Sequence, residues 1–303
     1  MEYGEIAGVD KQVSRLVMGV DNQTQCEETE SLFDDYFKLG GNCFDTAFIY
    51  GKGLSEKLVG TWIQNRGLRE QVVILDKGAH TPDCDPEVLS EQLLISLDRL
   101  QTEYVDIYML HRDNLEIPVD EFLDVLNQHK NAGRIHAYGV SNWYIPRVQQ
   151  FNLCAEQTGC APIAAVSNNF SLAVMAEPAW DGCLRATESI SRAWLGKTQM
   201  PLMAWSSQAR GFFVRARRDS LQDALLVRCW YTESNFRRLE RAKELARKMS
   251  VEPVNIALAY VLCQPFPTFA LVGPRSVAET HSCMRALDIH LSAEQVRWLN
   301  LEQ

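Results

Sequence analysis

Short runs rich in Val, Ile and Leu alternate with longer amphipathic segments, eight times over, and no linker or low-complexity stretch interrupts them. The short runs read as strands over 15–20, 42–45, 71–76, 105–110, 135–140, 163–167, 202–205 and 268–272. Between and after them, helical periodicity covers 28–39, 55–65, 86–100, 118–132, 146–159, 189–197, 232–249, 253–263, 276–286 and 293–300. The segment 86–100 opens at Asp85-Pro86, a cap and a pre-set φ, and aligns Leu89, Leu93, Leu97 and Leu100 on one face. The segment 118–132 stops at Gly133, as a helix C-terminus should. Residues 3–13 read as a small hairpin turning at Gly8-Val9-Asp10. Eight strands, each followed by at least one helix, predict a (β/α)8 barrel, one domain over 1–303 with an N-terminal hairpin and extra helices near the C-terminus. A doubly wound sheet would place G-x-G-x-x-G directly after its first strand. Gly19-Val-Asp-Asn-Gln-Thr24 does not match, and the nearest approach, Gly51-Lys-Gly-Leu-Ser-Glu56, follows the second strand.

Composition narrows the partners. A net charge of −9 argues against nucleic acid or an acidic membrane, and no run reaches the roughly 18 apolar residues of a membrane span. The start, Met1-Glu-Tyr-Gly-Glu5, has neither a basic nor an apolar leader region. Nine cysteines lie scattered from Cys26 to Cys283, the closest pair being Cys154 and Cys160, with no C-x-x-C. Free thiols in a reducing cytoplasm are the expectation. The six histidines show no metal-binding spacing, so no metal is expected.

In such a barrel the chemistry sits where strands end. The second strand ends in Asp45, with Tyr50 in the loop after it; the third ends in Asp76-Lys77, the fourth in His111-Arg112-Asp113 and the fifth in Ser141-Asn142. A free tyrosine, with a pKa of about 10, is a poor acid near neutrality. A neighbouring ammonium lowers that pKa, and a carboxylate keeps the ammonium charged and in place. A histidine beside the phenol can orient a substrate oxygen. Pleat alternation sends Asp76 to the opposite face from Lys77.

Gly40-Gly-Asn-Cys-Phe-Asp-Thr-Ala-Phe-Ile-Tyr-Gly51, followed by Ser55-Glu56, resembles the aldo-keto reductase signature around its catalytic Asp and Tyr. Ile74-Leu-Asp-Lys-Gly78, Tyr108-Met-Leu-His-Arg112 and Gly139-Val-Ser-Asn142 resemble the family's Lys, His and amide-binding strands. The resemblance covers nearly the whole chain and implies a reductase of small carbonyl compounds that uses NADPH, with NADH the less favoured cofactor. It makes Tyr50 the general acid, tuned by Lys77 and Asp45, with His111 polarising the carbonyl. Ser141 and Asn142 would hold the nicotinamide carboxamide, and Trp205 would stack on its ring.

Further cofactor contacts follow from the same pattern: Gly19, Val20 and Asp21 after the first strand, and Ser167 after the sixth, where many relatives have Gln. After the seventh come Ser206, Ser207, Gln208, Arg210 and Gly211; the arginine run Arg210, Arg215, Arg217 and Arg218 leaves two readings open, a fold over the pyrophosphate or a solvated loop. After the eighth come Gly273, Arg275 and Ser276, at a helix N-terminus suited to a 2′-phosphate, then Glu279 and Ser282 near the adenosine. Cys283 stands where Asn is usual. Phe48 and Trp143, close in sequence to the rim, are the expected substrate contacts. Further pocket walls are sought in the aromatics Trp180, Trp194, Phe212, Phe213, Trp230 and Tyr231. Two alternatives stay open: an NAD-dependent sugar or alcohol dehydrogenase, and a cofactor-binding redox-sensing subunit with little turnover.

Overall fold

Residues two apart along a strand share a face, and that rule sorts this molecule into two layers. The computed structural model describes residues 1–23 and 26–302; Thr24, Gln25, Gln303 and the side chains of Cys26 and Glu27 lie outside the described residues. A two-stranded antiparallel hairpin, β1 (Tyr3–Gly4) and β2 (Val13–Ser14), precedes the barrel. The barrel strands are β3 (Leu16–Gly19), β4 (Cys43–Asp45), β5 (Val73–Gly78), β6 (Val105–Leu110), β7 (Ile135–Ser141), β8 (Val166–Ser167), β9 (Leu202–Ala204) and β10 (Thr268–Val272). All are parallel and close in the order β10-β3-β4-β5-β6-β7-β8-β9, with β9 pairing back to β10. This is the (β/α)8 barrel with an N-terminal hairpin that the alternation predicts.

Val17, Cys43, Val73, Leu75, Ile107 and Met109 form the buried inner cluster together with Ala137, Ala165, Met203, Phe269 and Leu271. Their alternates, among them Met18, Phe44, Ile74, Tyr108 and Tyr138, face outward into the core shared with the helices. Those helices are α1 (Cys26–Lys38), α2 (Leu54–Arg66), α3 (Pro86–Leu100), α4 (Val119–Asn131), α5 (Ile145–Thr158) and α6 (Ser189–Thr198). They continue with α7 (Phe212–Arg215), α8 (Ala224–Trp230), α9 (Glu233–Met249), α10 (Pro253–Leu262), α11 (Val277–Met284) and α12 (Ala293–Leu299). Among the described residues no helix is long and apolar enough to cross a membrane. The short α7 and α8 fall where the sequence reads as loop. Neither is long enough to show a period; α8 forms because Asp223 caps it, accepting from the Leu226 N–H at 2.9 Å, while Leu226, Cys229 and Trp230 are buried.

The hairpin closes the N-terminal end of the barrel. Ile6 and Val13 join the inner cluster, and a Cβ at Gly4 would stand 2.8 Å from the Phe269 ring, so backbone seats directly on that ring. The buried Asp106 carboxylate binds Lys11 Nζ at 2.7 Å and Arg69 Nη2 at 2.8 Å, pinning hairpin and β5 approach together. With this end sealed, the C-terminal end is left open.

Candidate active site

Continuing the inner phase two residues at a time puts Asp45 above Cys43, Lys77 above Leu75 and His111 above Met109. Ser141, Ser167 and Trp205 likewise continue the phase of Ala137, Ala165 and Met203. These side chains meet in a cleft of about 1400 Å³ at the C-terminal ends of the strands. Lys77 Nζ lies 2.6 Å from Asp45 Oδ1, donates to the Thr46 carbonyl at 2.8 Å and reaches the Tyr50 hydroxyl at 3.5 Å. The Tyr50 and His111 rings meet edge to face with centroids 5.6 Å apart, and His80 meets His111 in the same way at 4.9 Å.

The loop that presents Tyr50 is held from two sides. Thr46 and Phe48 donate their N–H groups to the Leu75 and Lys77 carbonyls at 2.9 and 2.8 Å, extending the pairing with β5. Behind the loop, Arg99 Nη1 donates to the Phe48 carbonyl at 3.1 Å and to Glu56 Oε2 at 2.7 Å. The guanidinium approaches so closely that a Cβ at Gly53, whose φ is +91°, would stand 2.6 Å from Arg99 Cζ. Only glycine fits there.

Burial dominates the ionisation of this cluster. Lys77 is held above the ordinary lysine range: burial opposes its charge, but Asp45 and Tyr50 outweigh it. Burial raises Asp45 despite Lys77. His111 is driven well below the usual histidine range, by burial first and then by Lys77, Arg112 and His80, so it is neutral at pH 7. Tyr50 is half-buried, facing the cleft, and burial pushes its phenol up to about 12. This corrects the expectation of an acidified tyrosine. Lys77 does pull the pKa down, but burial and the Asp45 charge pull harder the other way.

Asp76 points away from Lys77, outside the barrel, against Glu56, Ser96 and Tyr108. Burial and the neighbouring Glu56 raise it well above the carboxylate range.

Most of the other expected positions line the same cleft. Gly19, Asp21, Ser141, Asn142, Ser167 and Trp205 surround its floor. Ser206, Ser207, Gln208, Arg210 and Gly211 form one wall, and Gly273, Arg275, Glu279 and Ser282 another. The Ser167 hydroxyl is buried without a partner. Asn142 is more committed than expected: its Oδ1 accepts from the Leu184 N–H at 3.0 Å and its Nδ2 donates to Ser141 Oγ at 2.9 Å. Among the arginines after β9, Arg215 pairs with Asp223 at 2.9 Å and Arg218 with Glu233 at 2.7 Å, whereas Arg210 lies over the Trp180 ring at 5.2 Å.

Of the expected cofactor and substrate contacts, Val20, Ser276, Phe48 and Trp143 do not line the cleft. Val20 is out of phase and packs in the outer core. Ser276 caps α11, accepting from the Glu279 N–H at 3.3 Å. The Phe48 ring lies on Arg99, 4.4 Å from its guanidinium carbon. Trp143 is buried, donates Nε1 to the Arg112 carbonyl at 3.1 Å and packs on Phe122 and Phe151. Of the wall aromatics, Trp180 and Phe213 line the cleft; Trp194, Phe212, Trp230 and Tyr231 do not. Ile49, His80, Arg112 and Cys183 line it unanticipated. Ile49, 41% exposed, carries the one readable signal: it is an aliphatic residue directly beside the rim tyrosine in sequence.

Comparison with known proteins agrees with this architecture. The aldo/keto reductase family model matches residues 16–300. An uncharacterized oxidoreductase of Bacillus subtilis (strain 168), YrpG, is 26% identical over 99% of this chain and 95% of its own length. An NADP(+) aryl-alcohol dehydrogenase of Phanerodontia chrysosporium is 26% identical over 90% of this chain and 75% of its own. The structure of a thermostable aldo-keto reductase, Tm1743, solved with the inhibitor epalrestat, superposes over all of both chains with a TM-score of 0.78 at 23% identity, a likeness of fold. The barrel and the nearly full-length family match together make this chain a member of the aldo/keto reductase family, the nicotinamide-dependent oxidoreductases that act on small carbonyl compounds.

Proposed function

We propose that this chain, acting as one domain, reduces an aldehyde or ketone to an alcohol with NADPH, and that Tyr50 delivers the proton. The observation that carries the reading is the relay at the cleft floor: Tyr50 hydroxyl 3.5 Å from Lys77 Nζ, and Lys77 Nζ 2.6 Å from Asp45. A nicotinamide bound in the cleft supplies the hydride. With its pKa near 12, Tyr50 keeps its proton at neutral pH and gives it up only to an oxygen that is becoming an alkoxide. Lys77 then compensates the phenolate left behind, and Asp45 keeps the ammonium charged and aimed. Neutral His111, with Nδ1 buried and unpartnered, hydrogen-bonds the carbonyl without competing as a proton source.

The residues around the floor suit the cofactor. The orphaned Ser167 hydroxyl and the remaining N–H of Asn142 are donors for a carboxamide, and Trp205 offers a ring beside them. Arg275 supports NADPH over NADH. It lines the cleft next to the start of α11, and among the described residues it forms no ion pair, so its charge is available to a 2′-phosphate. The described cysteines are free thiols, which suits a reducing cytoplasm.

The test is NADPH consumption across aliphatic, aromatic, sugar and quinone carbonyls, repeated with NADH. Turnover with NADPH on at least one carbonyl is expected. Tight cofactor retention without turnover on any of them would favour the redox-sensing subunit instead.

A further inference from the structure

A buried guanidinium is ordinarily matched by a carboxylate. Arg112, directly after His111 at the end of β6, is 5% exposed and has none. Its Nη1 donates to the His111 carbonyl at 2.9 Å, its Nη2 touches Cys183 Sγ at 3.5 Å, and its Nε is buried with no partner. Among the described residues no acidic side chain forms an ion pair with it. The nearest in sequence, Asp113, is paired to Arg147 at 3.2 Å, and Asp181, on the loop that covers Arg112, is exposed. Nor does Cys183 supply the charge, because burial pushes its thiol up and keeps it protonated. On the loop side, a Cβ at Gly182 would stand only 3.5 Å from Arg112 Cδ and Nε, so backbone packs against the arginine stem. Its remaining open side is the cleft, which it lines together with Tyr50, His80 and His111.

We propose that the missing counter-charge is carried by the substrate: a carbonyl compound with a separate carboxylate, its carbonyl at Tyr50 and His111 and its carboxylate on Arg112. The inference rests on the reductase reading of the same cleft and adds the class of substrate to it. A neutral carbonyl compound leaves the guanidinium buried and unpaired, whereas a carboxylate supplies the opposite charge from the cleft side. Arg112 is then a specificity-determining residue, selecting among substrates that Tyr50 treats alike.

The experiment compares matched pairs on the full chain with NADPH: benzaldehyde against 3- and 4-carboxybenzaldehyde, and butanal against succinic semialdehyde. At least one carboxylated member should show a tenfold or greater advantage in kcat/KM, expressed mainly in KM. Arg112→Gln should reduce that ratio at least tenfold, and Arg112→Lys, which keeps a point charge, should restore part of it. A second measurement needs no turnover. Quenching of tryptophan fluorescence in the NADP+ complex should show 4-(hydroxymethyl)benzoate binding at least tenfold tighter than benzyl alcohol, with the difference lost in Arg112→Gln. A wild-type preference for the neutral partners, or a carboxylate preference that survives Arg112→Gln, overturns the proposal. An enzyme that turns over no carbonyl at all counts against the reductase reading alone, and the binding comparison still decides the role of Arg112.

Discussion

Lys77 and Asp45 are 3% and 5% exposed and 2.6 Å apart, so each is the other's principal source of compensation. At that distance, with an effective dielectric of about 20, unit charges attract by roughly 6 kcal/mol. Most of that gain is offset by the cost of taking two ions out of water, so the pair as a whole adds little stability. Its members are a different matter. Lys77→Met leaves a buried carboxylate without its cation, and Asp45→Asn leaves a buried ammonium without its anion; each should cost about 3–5 kcal/mol. The double variant buries neither charge and should fall short of the summed losses by about 3 kcal/mol. Urea unfolding followed by tryptophan fluorescence measures all four corners of the cycle, with the m-value checked for constancy. The pH dependence adds a sign. In Lys77→Met the folded Asp45 has a pKa further above its unfolded value, so the folded state holds a proton that the unfolded state releases first. Stability is then retained at low pH and lost as pH rises toward the folded pKa, making Lys77→Met more damaging at pH 8 than at pH 5. Losses that add to within about 0.5 kcal/mol, the ordinary limit for independent sites, would refute the account of this pair.

The other tests concern protons and phosphate. Tyr50→Phe should lower kcat/KM for carbonyl reduction by a factor of about 10² to 10⁴ while leaving NADPH affinity nearly intact. Combined with Lys77→Met it should add little further loss, since Lys77 can act only through the missing phenol; full retention of activity in Tyr50→Phe would remove Tyr50 from the chemistry. Arg275→Ala should raise KM for NADPH by about 10- to 100-fold, corresponding to 1.5–3 kcal/mol for a charge-assisted bond, with NADH use little changed. Equal weakening of both cofactors would shift the phosphate contact to another residue, Arg210 first. Asp76, raised far above its unfolded pKa by burial and Glu56, loses stability as pH climbs; Asp76→Asn should therefore gain on the wild type between pH 5 and pH 8 in thermal melts, and a variant that loses ground over that range contradicts the assignment.

How much of this was legible beforehand follows the reach of the pleat. Inside a strand, alternation fixes which side chains face the barrel axis, so Asp45, Lys77, His111, Ser141 and Ser167 could be aimed at one cleft, and Asp76 away from it, from spacing alone. Beyond the strand end the rule fails. Two residues after Ser141, Trp143 should share its direction, but Asn142 adopts a left-handed φ of +59° and turns the indole into the outer core. Likewise Ile49, rather than its neighbour Phe48, lines the cleft; Phe48 is held from behind by Arg99, a residue on α3 with no sequence proximity to the loop. A place at a helix start makes Ser276 a candidate phosphate ligand, yet that same place commits its oxygen to capping α11. The acidity of Tyr50 shows the limit most clearly. A sequence displays the signs of the charges around a group, and Lys77 does act in the direction those signs imply. It does not display the depth of protein around the phenol, and here that depth decides the balance: the pKa goes up, to about 12. Lys77 therefore matters for compensating a phenolate that exists only during proton transfer, and a tyrosine poised as an anion at neutral pH is not part of the design.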